Sequence, residues 1–111
     1  METLLRKPAA KLTRAGREMR PHAARAAQLL KALSNEQRLM ILCHLVSGPL
    51  SVNELNQRVP LSQSALSQHL GILRDSGIVV TTRESQSIIY SLPAGIATRI
   101  IGLLQEEFCR P

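Results

Sequence analysis

Residues 61–71 read LSQSALSQHLG. On a helix that turns about 100° per residue, Leu66, Leu70 and, a little farther on, Leu73 fall on one stripe, with Ala65 and His69 on its flank. Gln63, Ser64, Ser67, Gln68, Gly71 and Arg74 fall on the other side. An ordinary exposed helix face carries lysine and glutamate. This one carries short, uncharged side chains that donate and accept hydrogen bonds. Base-pair edges in the DNA major groove present the matching pattern: glutamine can pair bidentately with adenine, and serine with several edges. Arg74, near the end of the stretch, suits a phosphate.

The flanking residues give this helix its limits. Ser62 is an N-cap, and Gly77 sits where a left-handed residue ends a helix. Upstream, Ser51 and Glu54 have capping-box spacing and open a short helix, VNELNQRV, before a tight turn at Pro60. A short helix, a tight turn and a second helix make a helix-turn-helix, whose second helix enters the major groove. Downstream the period changes. IVVTT and SIIYSL are β-branched runs separated by RESQ, which predicts a hairpin. Placed there, the hairpin is a wing, and Arg83, Ser85 and Gln86 at its tip would reach a phosphate backbone or a minor groove.

Farther upstream, His22 to Leu33 (HAARAAQLLKAL) has apolar residues at helical spacing. Ser34 offers an N-cap, with Gln37 three residues later, for a helix NEQRLMILCHLV that ends near Gly48-Pro49. That helix is apolar almost all round, so it is expected to be buried among others. Pro93 precedes a last helix, AGIATRIIGLLQEEFC, with an apolar stripe through Ala97, Ile100, Ile101, Leu104 and Phe108. The expected fold is mainly α with a β-hairpin wing: a winged helix-turn-helix in the order four helices, two strands, one helix.

Composition agrees with this. A chain of 111 residues holds one domain with one core. Aromatic residues are 2% of it, so the core is aliphatic and the chain lacks the aromatic platforms that base stacking uses. The net charge of +6 favours a polyanion, nucleic acid first and an acidic membrane second. No apolar run reaches the length of a bilayer span. Residues 1–20 hold six of the 14 basic residues against two acids. They read as a disordered basic arm able to touch phosphates, with the DNA-binding and dimerisation domain spanning residues 21–111. An organelle transit peptide fits less well, because serine is absent and Glu18 and Pro8 interrupt the pattern; a solubilising tail is the bland alternative. There is no nucleophile–base–acid set, glycine-rich phosphate loop or carboxylate cluster, so neither enzyme activity nor a cofactor is expected. Two competing classes are a thiol-dependent enzyme and a partner-binding helix-turn-helix without DNA affinity. Cys43 and Cys109 do not make a secreted disulfide framework, and a reducing cytoplasm is the expected compartment.

From about residue 25 to its end the chain resembles the ArsR family of winged-helix repressors. The stretches KALSNEQRLMILCHL, LSQSALSQHLGILRDSGIV and RESQSIIYSL carry the resemblance. It implies a homodimer paired through the first and last helices, an inverted-repeat operator, and release by an inducer. A thiolate metal motif of the family, ELCVCDL, aligns with Pro49–Leu55, where Ser51 and Asn53 replace its cysteines; neither is a good soft-metal ligand. The last helix has no His or Asp for the family's other metal site. His69 is expected to pack rather than to ligate. The positions of Cys43 and Cys109 resemble the thiol-based subgroup typified by BigR, SqrR and HlyU. That resemblance implies that persulfides or related oxidants link the two cysteines, directly or through extra sulfur, and lower DNA affinity. An ArsR-type repressor with a different inducer is the nearest alternative.

Overall fold

The computed structural model describes residues 11–109. Its helices are α1 (Arg14–Met19), α2 (Ala23–Leu33), α3 (Glu36–Val46), α4 (Val52–Arg58), α5 (Gln63–Asp75) and α6 (Ile96–Phe108), and its strands are β1 (Leu50–Ser51), β2 (Val80–Glu84) and β3 (Ser87–Ser91). A single turn of 3-10 helix, Arg20–His22, joins α1 to α2.

The leucine stripe of α5 organises the core. Leu66 and Leu73 are 0% exposed and Leu70 is 1% exposed. They share one cluster with Ile41, Leu42 and Leu45 of α3, Leu55 of α4, Ile78 and Val79 before the wing, Tyr90 of β3, and Ala97 and Ile101 of α6. The C-terminus of α5 closes as the sequence predicts. Gly77 takes φ 74°, its N–H donates to Arg74 O, and Ile78 N–H donates to Leu73 O. This is a Schellman motif, and it turns Ile78 and Val79 back into the core.

The caps at Ser51 and Ser62 form as expected. Ser51 Oγ accepts from Glu54 N–H at 3.1 Å while the Glu54 carboxylate accepts from Ser51 N–H at 2.9 Å. Ser62 Oγ accepts from Ala65 N–H at 3.2 Å. The expected cap at Ser34 is displaced by one residue. Asn35 caps α3 and accepts from Arg38 N–H at 3.0 Å, while Ser34 ends α2 with its N–H on Lys31 O. Only Ser34 and Asn35 separate the two helices, so each serves a different one, and Gln37 has no capping partner.

The wing is tighter than the sequence spacing implied. Arg83 and Glu84 join β2, pairing with Ile88 and Ser87 of β3, which leaves Ser85 and Gln86 as a two-residue turn. Ser85 has φ 57°, the positive value that such loops require at their first position. A third strand, not anticipated, completes the sheet in the order β1-β3-β2. Leu50 pairs with Tyr90 and Ser51 with Ile89, so Ser51 both ends a strand and caps α4. The last helix begins at Ile96 after Gly95, slightly later than expected.

Part of the stretch expected to be a disordered arm is helical. Thr13 Oγ accepts from Gly16 N–H at 3.1 Å, and Arg14 pairs with Glu18 at 3.1 Å one turn on. Helix α1 buries none of its residues. Residues 1–10 of the expected arm lie outside the described residues.

The reciprocal cap at Ser51 yields a stability prediction. Ser51→Ala should lose about 1 kcal/mol, read by urea unfolding. The hydrogen bonds from Ser51 hold the Glu54 carboxyl below its usual value. A carboxylate whose pKa is lowered by folding stabilises above its unfolded pKa, and that contribution is lost as pH falls through the folded value. Glu54→Gln should therefore flatten the acid limb of the stability profile, and an unchanged limb would refute the assignment.

Candidate nucleic-acid interface and cysteine pair

Helix α4 is fixed from both ends, by its capping box and by the buried Leu55 and Val59. The chain then turns within Val59–Ser62, with Leu61 N–H on Val59 O at 2.9 Å, and enters α5. This is the expected helix-turn-helix. Because Leu66, Leu70 and Leu73 face inward, Ser64 and Gln68 are exposed on the opposite face and Ser67 on its flank. Gln63, expected on that face, instead lies seven residues before Leu70 on nearly the same side and is exposed because it opens the helix. Among the described residues, Gln63, Ser67 and Gln68 spend no side-chain donor or acceptor on the protein, and Ser64 Oγ lies 3.4 Å from Ser62 Oγ. Arg74 is exposed near the far end of the same helix. Arg83 and Gln86 are exposed at the wing, Arg83 on β2 and Gln86 in the turn.

The opposite side of α5 holds a residue the sequence reading did not single out. Arg38 of α3 donates through Nε to Ala32 O at 2.6 Å and through Nη2 to Lys31 O at 3.4 Å. Its Nη1 lies 3.4 Å from His69 Nδ1. One guanidinium thus occupies the carbonyl end of α2, where a cation is favoured by the unsatisfied carbonyls and the helix dipole, and touches α5. His69 is half-buried in this contact, as expected of a packing residue. The cue in the sequence was an arginine in the first turn of an otherwise apolar helix.

Both cysteines are free thiols, Cys43 half-buried and Cys109 exposed. Cys43 lies on α3, and Cys109 caps α6, which packs against α3. The two are therefore carried by neighbouring helices, but they are not joined. Among the described residues, no three His, Cys, Asp or Glu side chains are grouped to hold a metal ion, and no helix is long and apolar enough to cross a membrane.

A helix-turn-helix followed at once by a β-hairpin wing, whose sheet is completed by β1 from before the motif, defines a winged-helix DNA-binding regulator. Residues 35–81 match the arsR family of bacterial regulatory proteins. The transcriptional activator HlyU of Vibrio cholerae is 48% identical over 93 residues, covering 84% of this chain and 86% of that protein. The biofilm growth-associated repressor of Xylella fastidiosa is 45% identical over 92 residues, covering 83% and 81%. The solved structure of reduced HlyU from V. cholerae superposes with a TM-score of 0.78, covering 84% of this chain and 98% of that one. The transcriptional repressor BigR of X. fastidiosa gives 0.75 at 44% identity, covering 84% and 92%. The chain belongs to the ArsR family of transcriptional regulators, a family of DNA-binding proteins and not of enzymes.

Arg38 carries the local prediction. Charge-assisted hydrogen bonds contribute about 1.5–3 kcal/mol, so Arg38→Met should destabilise the fold by roughly that amount in urea titrations. A loss within experimental error would mean that α2 and α5 are held by apolar packing alone.

Proposed function

We propose that the protein is a homodimeric ArsR-type repressor that binds an inverted-repeat operator through α5 and the wing, and lets go when Cys43 and Cys109 become linked. The observation that carries the DNA-reading part is that Gln63, Ser64, Ser67 and Gln68 are all exposed at the start of α5, with only Ser64 within hydrogen-bonding distance of another side chain among the described residues. These side chains read base edges in the major groove, whereas Arg74, Arg83 and Gln86 contact the backbone or minor groove. Lys11, Arg14 and Arg17 add sequence-independent phosphate contacts. Pairing of two copies through α2 and α6, the first and last helices read from the sequence, sets two recognition helices about one DNA turn apart, as a palindrome requires. Apolar side chains left exposed on those helices favour it: Leu30 on α2, and Leu103 and Phe108 on α6.

The thiol part rests on two free cysteines carried by neighbouring helices, one half-buried and one exposed. In the reducing cytoplasm both stay thiols. An organic persulfide RSSH supplies the oxidising equivalent. The Cys43 thiolate attacks the outer sulfur, the donor S–S bond breaks and RS⁻ leaves. The Cys109 thiolate then displaces HS⁻ from the Cys43 persulfide to close a disulfide. The net products are the bridge, RSH and H₂S; if the Cys43 persulfide first attacks the outer sulfur of a second RSSH, expelling a second RS⁻, Cys109 then displaces HS⁻ to close a bridge longer by one sulfur. A direct disulfide requires Cα atoms roughly 4.4–6.8 Å apart, so the ends of α3 and α6 must meet that limit or accept a polysulfide. Among the relatives, the name of the Xylella protein supports repression, and the name of the Vibrio protein, an activator, makes the sign of control part of the test.

Operator duplexes selected from random sequence provide the assay. Gln63→Ala should cost discrimination by about 1–3 kcal/mol, while Arg83→Ala should weaken specific and random duplexes about equally and lower the salt slope by about one. Equal losses on both duplexes for Gln63→Ala would remove its base-reading role.

A persulfide donor should release wild-type protein from the selected duplex, and intact mass should show the bridge. Cys43→Ser should bind and stay bound; release of that variant by the donor would overturn the switch. Transcription from a promoter carrying the duplex gives the sign of control.

A further inference from the structure

The thiol of Cys43 does not stand alone. Cys43 borders a cleft of about 300 Å³ that is also lined by His44, Ser47, Leu50 and Arg58. That volume is at the small end of ligand sites, the scale of a modified amino acid. The cleft exists because Gly48, at φ 147°, turns the chain after α3 so that β1 and the end of α4 come back beside it. Cys43 and His44 are sequence neighbours whose side chains diverge on a helix, yet both reach this one depression. The far wall is Arg58, the last residue of α4. Its guanidinium is exposed and, among the described residues, forms no ion pair, since the pair found there is Arg14–Glu18. Glu54, one turn earlier on α4, is held at 2.9 Å by Ser51 N–H, and the Arg58 charge also reaches its carboxylate and helps to lower its pKa, so an incoming carboxylate shares the guanidinium's field with Glu54.

We propose that this cleft is a docking site for small organic anions, in which Arg58 holds a carboxylate so that the reactive end of the molecule meets Cys43. A guanidinium offers a planar fork of donors that matches a carboxylate bidentately. Ser47 and His44 supply further polar contacts, and Leu50 an apolar wall. The inference rests on the reading of Cys43 as the reactive thiol, and it names the chemical class of inducer: a persulfide that carries a carboxylate. The reaction is the first step given above. The Cys43 thiolate bonds to the outer sulfur, the donor S–S bond breaks, and RS⁻ leaves with its carboxylate on Arg58 and takes a proton from solvent. Arg58 is thus a positioning residue that touches the inducer and not the sulfur being transferred.

The test is the charge selectivity of Cys43 towards two alkylating agents of one mechanism, iodoacetate (anionic) and iodoacetamide (neutral). Rates are read by peptide mass on the reduced full chain, with an unstructured cysteine peptide as reference. Cys43 should show an iodoacetate-to-iodoacetamide rate ratio about three- to five-fold above the reference, the scale of one exposed charge pair. Arg58→Gln should bring the ratio down to the reference, and Arg58→Lys should retain part of it; circular dichroism melting checks that both variants are folded. A ratio equal to the reference in the wild type, or one that Arg58→Gln leaves in place, overturns the proposal. The measurement needs no DNA. A charge preference found together with operator binding that ignores persulfide would sink the sensor reading and leave the cleft standing.

Discussion

Three leucines fix the orientation of everything that faces outward. Leu66, Leu70 and Leu73 are removed from water, and each contributes about 1.5–3 kcal/mol by that transfer. A rotation of α5 by one residue, about 100°, would expose two of them and bury glutamine. The cost exceeds what any contact on the outer face could return. The polar face is therefore aimed by the core and not by its own chemistry. The rest of the molecule serves the same end. Helix α3 forms the floor on which α5 lies, α4 sets its approach, and the Schellman turn at Gly77 converts the end of α5 into the start of the wing.

How much of this was legible follows from where each signal resides. The α5 stripe, the capping box at Ser51 and the glycine stop at Gly77 are local, since the residues that make the structure are within four or five of each other, and all were readable. The cap at Ser34 was misassigned because two adjacent residues can both cap and only the close approach of α2 and α3 divides the work between them. Strand β1 was invisible because two residues carry no period; its existence depends on β3, some forty residues away, and on the turn at Gly48. Helix α1 was hidden by its composition, since it buries nothing and its cap at Thr13 gives only a weak local cue. Of the candidate site, the exposure of Ser64, Ser67 and Gln68 was legible from the leucine period, whereas Gln63 lies nearer the leucine side and is exposed by its place at the helix start. Arg38 was not, because its partners Ala32 O and His69 lie on two other helices and backbone carbonyls leave no mark in a sequence.

The apolar stripe of α6 illustrates the opposite case, where the sequence showed more than one copy of the fold can use. Ala97 and Ile101 are consumed by the core, whereas Leu103 at 63% exposure and Phe108 at 78% are not. A helix that is apolar on a wide arc but pressed against a small domain on one side only has a second face left over. On the proposed reading a second copy covers it, and Cys109, at the very end of that helix, then sits at the edge of the dimer contact.

Helix α3 is the element through which such a link would be felt. It carries Cys43 on one side and, five residues earlier, the Arg38 that anchors to Ala32 O at 2.6 Å and lies against His69 of the recognition helix. A helix of 11 residues packed on both sides moves as a rod and not by local bending. A bridge from Cys43 to the end of α6 pulls on that rod. On the proposed reading, the pull would act against the Arg38 bonds to α2 and against the leucines of α5, which are the interactions that aim the outer face of α5. A hundredfold loss of operator affinity corresponds to about 2.8 kcal/mol. One strong charge-assisted hydrogen bond and a modest misfit in the leucine packing are together of that size. On the proposed reading, such a switch would require no unfolding and no large rearrangement, only a displacement of α3 that the short bond from Arg38 to Ala32 O resists.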